Sequence, residues 1–129
     1  MFGKPVIGAT GAILMSLWGS MSSADDFGLI MFDEPGCYWC EQWLEEIGPI
    51  YPKTLAGQAA PLSVIGISEK LPTGIELTST PVYTPTFILT QNGKEVGKIE
   101  GYPGEDFFWW FLEEMLREFP EYVELVEAS

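Results

Sequence analysis

Histidine is absent from the 129 residues, and this single lack removes more chemistry than any other feature of the chain. Without an imidazole there is no Ser-His or Cys-His hydrolytic pair and no histidine metal ligand. Positive charge is scarce as well: 6 Lys and Arg stand against 19 Asp and Glu, a formal net charge of −13. Such a surface repels nucleic acid, so no nucleic-acid partner is expected, and the acidic excess reads first as a solvated face. Cysteine occurs only twice, whereas a structural zinc site takes about four Cys or His ligands. Neither a metal nor an organic cofactor is expected.

A membrane-spanning run is also missing. The charge-free apolar stretch Pro5 to Trp18 is shorter than the roughly 20 residues of a spanning helix. It follows Lys4 and precedes the small residues Ser22-Ser23-Ala24, which is the layout of a secretory signal. Residues 1–24 are therefore expected to be a cleaved signal peptide, with a retained anchor as the alternative, and the protein to be exported. Residues 25–129 remain as one domain, long enough to bury its own core.

Within that domain the periodicities predict strand, helix, strand, long loop, hairpin, helix. Phe27 to Asp33 is an apolar run that ends in the turn residues Glu34-Pro35-Gly36. Cys37 to Ile47 carries Cys40, Trp43, Leu44 and Ile47 at helical spacing, and Gly48-Pro49 stops it. Tyr51 to Ala60 reads as a short helix and Leu62 to Ile67 as a second strand. Thr86 to Thr90 and Val96 to Glu100 flank Asn92-Gly93, a strong hairpin signal. A last helix is expected over Gly104 to Phe119, with Phe108, Phe111, Leu112, Met115 and Phe119 on its core face. The order gives a parallel βαβ start and an antiparallel ββα finish, hence an α/β fold with a central mixed sheet and helices packed on it.

The two cysteines form the motif Cys37-Tyr38-Trp39-Cys40. Haem attachment would need a histidine after the second cysteine, where Glu41 stands. A structural disulfide is the plain alternative, yet so short a ring restricts the unfolded chain by only about 2 kcal/mol. Thiol-disulfide exchange suits the spacing better. At the expected helix N-terminus, unpaired N–H groups and the dipole favour a Cys37 thiolate, the attacking sulfur. Cys40 lies one turn on, along the apolar stripe, and is expected to be the buried resolving sulfur. Tyr38 and Trp39 project from the helix start, either as substrate contacts or in local packing. Trp43, Phe108, Phe111 and Phe119 are expected in the core.

A CxxC that follows a strand and opens a helix, with Thr84-Pro85 ahead of a later hairpin, resembles the thioredoxin superfamily. The resemblance implies a cis bond at Pro85 beside the sulfurs, and a substrate groove bordered by Thr84, Gly101 and Tyr102. More closely, the chain resembles SoxS-like periplasmic thioredoxins of the bacterial sulfur-oxidation system. The segments that carry this are Pro35 to Cys40 with Trp43, Glu46 to Pro52, Ala60-Pro61-Leu62, Thr84 to Phe87 and Glu100 to Trp109. It implies a periplasmic reductase, served by a membrane electron donor, that acts on a protein disulfide such as that of a sulfur-carrier protein. Two departures from cytosolic thioredoxins stand out. Tyr38-Trp39 replaces their Gly-Pro, and Met31 replaces the buried acid six positions before the first cysteine. Glu34 is the candidate substitute as proton acceptor, against the reading of an acid merely solvated in a turn. From another class, the two thiolates would suit Cu(I), although copper carriers of this fold normally add a histidine.

Overall fold

The computed structural model describes residues 26–129 and Gly3, and the expected signal peptide lies outside the described residues apart from Gly3. Four strands, β1 (Phe27–Asp33), β2 (Leu62–Gly66), β3 (Thr86–Gln91) and β4 (Lys94–Glu100), form one sheet in the order β2-β1-β3-β4. β1 pairs in parallel with β2, Leu29 opposite Leu62, and antiparallel with β3, Leu29 opposite Leu89. β3 and β4 make the hairpin. At its turn Asn92 and Gly93 both have positive φ, 52° and 84°, the conformation a two-residue hairpin loop requires. Gly93 is needed for space too, because a Cβ there would lie 2.1 Å from the Gly74 carbonyl oxygen.

Alternation along β1 divides the core into two layers. Phe27, Leu29 and Met31 face one side with Phe87 and Leu89; Ile30 and Phe32 face the other with Ile65 and Ile88. The first side receives α1 (Tyr38–Glu46) through Cys40 and Trp43, and α3 (Glu105–Leu116) through Phe108, Leu112 and Leu116. The second side carries no helix among the described residues. The 67–85 connection crosses it as loop, and Leu71, Ile75 and Leu77 pack on its apolar residues.

The expected Tyr51–Ala60 helix is split into a 3₁₀ turn at Tyr51–Lys53 and a short α2 (Leu55–Ala59), where Thr54 caps α2 by accepting the Gly57 N–H at 3.0 Å. The last helix, expected over Gly104 to Phe119, stops three residues early, and a further helix that the periodicity did not predict follows it. α3 ends at Leu116, and α4 (Pro120–Glu127) begins afresh with Pro120 in its first turn, because proline cannot continue a helix but readily starts one. Two residues expected in the core are exposed. Leu44 and Phe111 lie at the edges of their helical stripes, outside the arcs that Trp43, Ile47, Phe108 and Leu112 turn to the sheet. Phe119 is half-buried, edge-on to Phe27 at 5.0 Å.

Tyr51 ties the helical layer together. Fully buried, it stacks on Trp109 at 5.9 Å and donates its hydroxyl to the Ala60 carbonyl at 2.6 Å. Burial, and then the nearby Tyr122, raise its pKa above the usual 10.0. A proton held more tightly in the folded state favours folding while the unfolded chain is also protonated. Stability is thus present below pH 10 and is lost as pH rises above it. Urea denaturation of Tyr51→Phe should show a loss of about 1–2 kcal/mol at neutral pH. Between pH 10 and 11 the wild type should lose about 1 kcal/mol more than this variant. Parallel pH profiles for the two proteins would contradict the assignment.

Candidate active site

The end of β1 leads straight into the redox motif. Glu34 to Gly36 make a tight turn, Gly36 with φ 78°, and the Cys37 N–H donates to the Glu34 carbonyl at 3.2 Å. Cys37 is then the N-cap of α1, its extended backbone leaving the sulfur at the mouth of the helix, where Sγ accepts the Cys40 N–H at 3.2 Å. Cys40 sits one turn inside with 2% exposure, against the core that holds Trp43 and Met31. The two sulfurs are joined in a disulfide, with Cα atoms 5.2 Å apart.

Three loops meet at this end of the sheet. The Thr84-Pro85 bond is cis, and Thr84 Oγ1 donates to the Glu34 carboxylate at 2.6 Å, so the segment before β3 is fastened to the turn before Cys37. The Pro85 carbonyl in turn accepts the Gly101 N–H at 2.7 Å, which brings in the segment after β4. Beside it the Tyr102 hydroxyl donates to Glu46 at the end of α1. Burial, the bond to Glu46 and the charges of Glu46 and Glu105 raise the Tyr102 pKa. Glu34, Cys37, Thr84, Pro85, Gly101 and Tyr102 are thereby linked through a chain of hydrogen bonds. Tyr38 and Trp39 remain on the outside, 60% and 56% exposed, their rings edge-to-face at 5.0 Å.

Some members of this region were not evident in the chain. A cavity of about 370 Å³ opens beside the disulfide, lined by Cys37 and Cys40 together with Asp33, Glu34, Glu41 and Glu69. Glu69 enters through the parallel pairing of β1 and β2, which sets Gly66 opposite Asp33 and lets the Ile67 N–H donate to the Asp33 carbonyl. No spacing rule in the sequence joins positions that far apart. Val82 and Tyr83, ahead of the cis bond, are 72% and 63% exposed. Their one signal is apolar character between Pro81 and Thr84-Pro85, in a loop where burial is not required.

The chemistry open to this arrangement is exchange at a sulfur. One sulfur is reachable, its partner is shielded, and the helix start offers N–H groups and dipole to a thiolate. No family model and no curated protein matches the sequence. Among solved structures, the chain is similar to the periplasmic thioredoxin SoxS of Paracoccus pantotrophus in its reduced form: 46% identity over 69% of this chain and 94% of that one, with a TM-score of 0.68. A Malassezia sympodialis thioredoxin, Mala s 13, is 21% identical over 70% of this chain and 76% of its own, with a TM-score of 0.47. On the first of these likenesses, and on a disulfide-closed CxxC at the head of α1, the chain belongs to the SoxS thioredoxin family and is a thiol-disulfide oxidoreductase acting on a protein substrate.

Proposed function

We propose that the protein is a periplasmic reductase of protein disulfides, in which Cys37 attacks and Cys40 resolves. The observation that carries this is the asymmetry of the sulfurs: Cys37 caps the helix and accepts an N–H, while Cys40 is almost fully buried. In the reduced protein the Cys37 thiolate attacks one sulfur of a substrate disulfide, forms a mixed disulfide and releases the first substrate thiolate. The Cys40 thiolate then attacks Cys37, breaks the mixed disulfide and releases the second. Two electrons and two thiol protons pass to the substrate, and the Cys37–Cys40 disulfide remains.

Tyr38, Trp39, Thr84, Gly101 and Tyr102 would border the bound substrate, with Pro85 beside the reacting sulfurs. Their support is the hydrogen-bonded meeting of the three loops. For the Cys40 proton, Glu34 is the acceptor we favour, since it shares the cavity with both cysteines and is oriented by Thr84. The likeness to the periplasmic thioredoxin SoxS supports the periplasm as the location, and the substrate we propose is the sulfur-carrier protein that the sequence resemblance implies. A reductase outside the cytoplasm needs a membrane electron donor to restore its dithiol.

The reducing direction rests on electrostatics. A disulfide is a strong oxidant when its reduced thiolate is firmly stabilised. Here only the helix terminus favours that thiolate, and Glu34 and Glu41 stand in the same cavity against added negative charge. Equilibration with glutathione or dithiothreitol buffers should give a potential nearer −270 mV than −120 mV, and a value above about −150 mV would rule out the reductase reading. Iodoacetamide should alkylate Cys37 about tenfold or more faster than Cys40 in the reduced protein. Preferential labelling of Cys40 would reverse the roles. Expressed with its full leader, Cys40→Ser should hold its substrate as a stable mixed disulfide, and mass spectrometry of the trapped species would name it. Trapping only cytoplasmic proteins would contradict the location.

A further inference from the structure

The loop that crosses the second face of the sheet leaves an opening. A cavity of about 330 Å³ lies there, with Phe32, Leu71, Leu77 and Pro81 as its apolar surfaces and Ser79 and Thr80 at its rim. Its position matters more than its size. Phe32 is followed by Asp33 and Glu34 of the active-site turn, and Pro81 leads into Val82, Tyr83 and the Thr84-Pro85 bond. Glu69 lines both this cavity and the one that contains the sulfurs of Cys37 and Cys40. Glu69 is the one residue the two linings share, so the two spaces adjoin there, and end to end they make a trough from the disulfide toward Leu71, Leu77 and Pro81.

We propose that this trough holds the polypeptide of the disulfide substrate beyond its cysteine, with a Lys or Arg side chain against Glu34, Glu41 and Glu69 and an apolar side chain against the half-buried Leu71, Leu77 and Pro81. The inference rests on the reductase reading above and adds the class of segment that is recognised. A substrate cysteine in mixed disulfide with Cys37 must enter the sulfur-lined cavity, and the adjoining chain then leads toward the space that meets it at Glu69. Carboxylates line that stretch, and the ion pairs among the described residues are made elsewhere, Lys98 with Glu100 and Arg117 with Glu113. A cationic side chain is thus favoured there and an anionic one is repelled. At the far end, an apolar side chain covers the exposed parts of Leu71, Leu77 and Pro81, beside a rim where Ser79 accepts a hydrogen bond from Lys98 at 3.5 Å.

The test uses the reduced protein and synthetic pentapeptide disulfides with Lys beside the cysteine and Leu at both ends. One comparison set has Glu for Lys, and another has Gly for Leu. Each rate is divided by that for bis(2-hydroxyethyl) disulfide, a neutral molecule too short to reach the trough. The Lys peptide should be reduced about tenfold faster than the Glu peptide, and Leu should add about threefold over Gly. In Glu69→Lys the charge preference should fall by about threefold or more, and Thr80→Trp, which fills the apolar end, should remove the Leu advantage. Both positions are exposed, so both proteins should fold; the wild-type ratios decide the matter if either does not. Equal rates for Lys and Glu peptides, or preferences untouched by both substitutions, would overturn the proposal while leaving the reductase reading intact. Failure to reduce even the small disulfide would instead overturn the reading beneath it.

Discussion

The placement of both sulfurs depends on one buried ring, Trp43. It lies one turn beyond Cys40 on α1, is fully enclosed, and has Phe87 of β3 at 5.0 Å, Phe108 of α3 at 5.4 Å and Tyr51 at 5.9 Å. Aromatic pairs of this kind add roughly 0.5–1.5 kcal/mol each beyond the area they bury. More important than the sum is what the ring joins. Phe87 stands two residues after Pro85, and Phe108 a few residues after Gly101 and Tyr102. A single side chain therefore sets the redox helix against the strand and the helix whose starts carry the other loops of the site, and the hydrogen bonds from Thr84 and Gly101 close an assembly already aligned by packing.

The layer beneath the sulfurs is wholly apolar, and this separates the chain from thioredoxins that bury an acid there. Met31 occupies that position, fully enclosed between Phe87 and Cys40 in the same core cluster. An ionised carboxylate in such surroundings would carry a large desolvation cost. Its absence makes the core cheaper to form but leaves proton handling to the solvent side. Carboxylates are plentiful there, since Asp33, Glu34, Glu41 and Glu69 share the cavity with the disulfide. The acidic excess is thus not only a uniform solvated coat; part of it lies where the reacting charge develops.

How much of this was legible depended on whether a feature is local. The Cys37 cap, the hairpin at Asn92-Gly93 and the strand and helix order all follow from spacing within a few residues, and those expectations match the structure. Stripe edges were harder to read: helical spacing alone puts Leu44 and Phe111 with the core, yet the width of the buried arc is set by the neighbouring surface. The apolar spacing that continues to Phe119 carried the expected helix past its end at Leu116, and Pro120, which can start a helix as well as stop one, opens α4 where no element was expected. Glu34 was visible as an acid near the motif, but its bond to Thr84, fifty residues away, belongs to the tertiary structure alone.

The same distinction explains where specificity resides. A CxxC at a helix start exchanges with any disulfide that reaches it, so the motif by itself confers little selectivity. Selection has to come from surfaces that touch the substrate away from the sulfurs, and in the reading proposed above the 67–85 connection supplies several of them. It brings Glu69 to the edge of the disulfide and holds Val82 and Tyr83 outward before the cis bond. The sheet face beneath it stays covered, with Ile30, Phe32, Ile65 and Ile88 all buried. The apolar surface this loop can offer a substrate is therefore its own, at the half-buried Leu71 and Leu77 and the exposed Val82 and Tyr83, rather than that of the sheet.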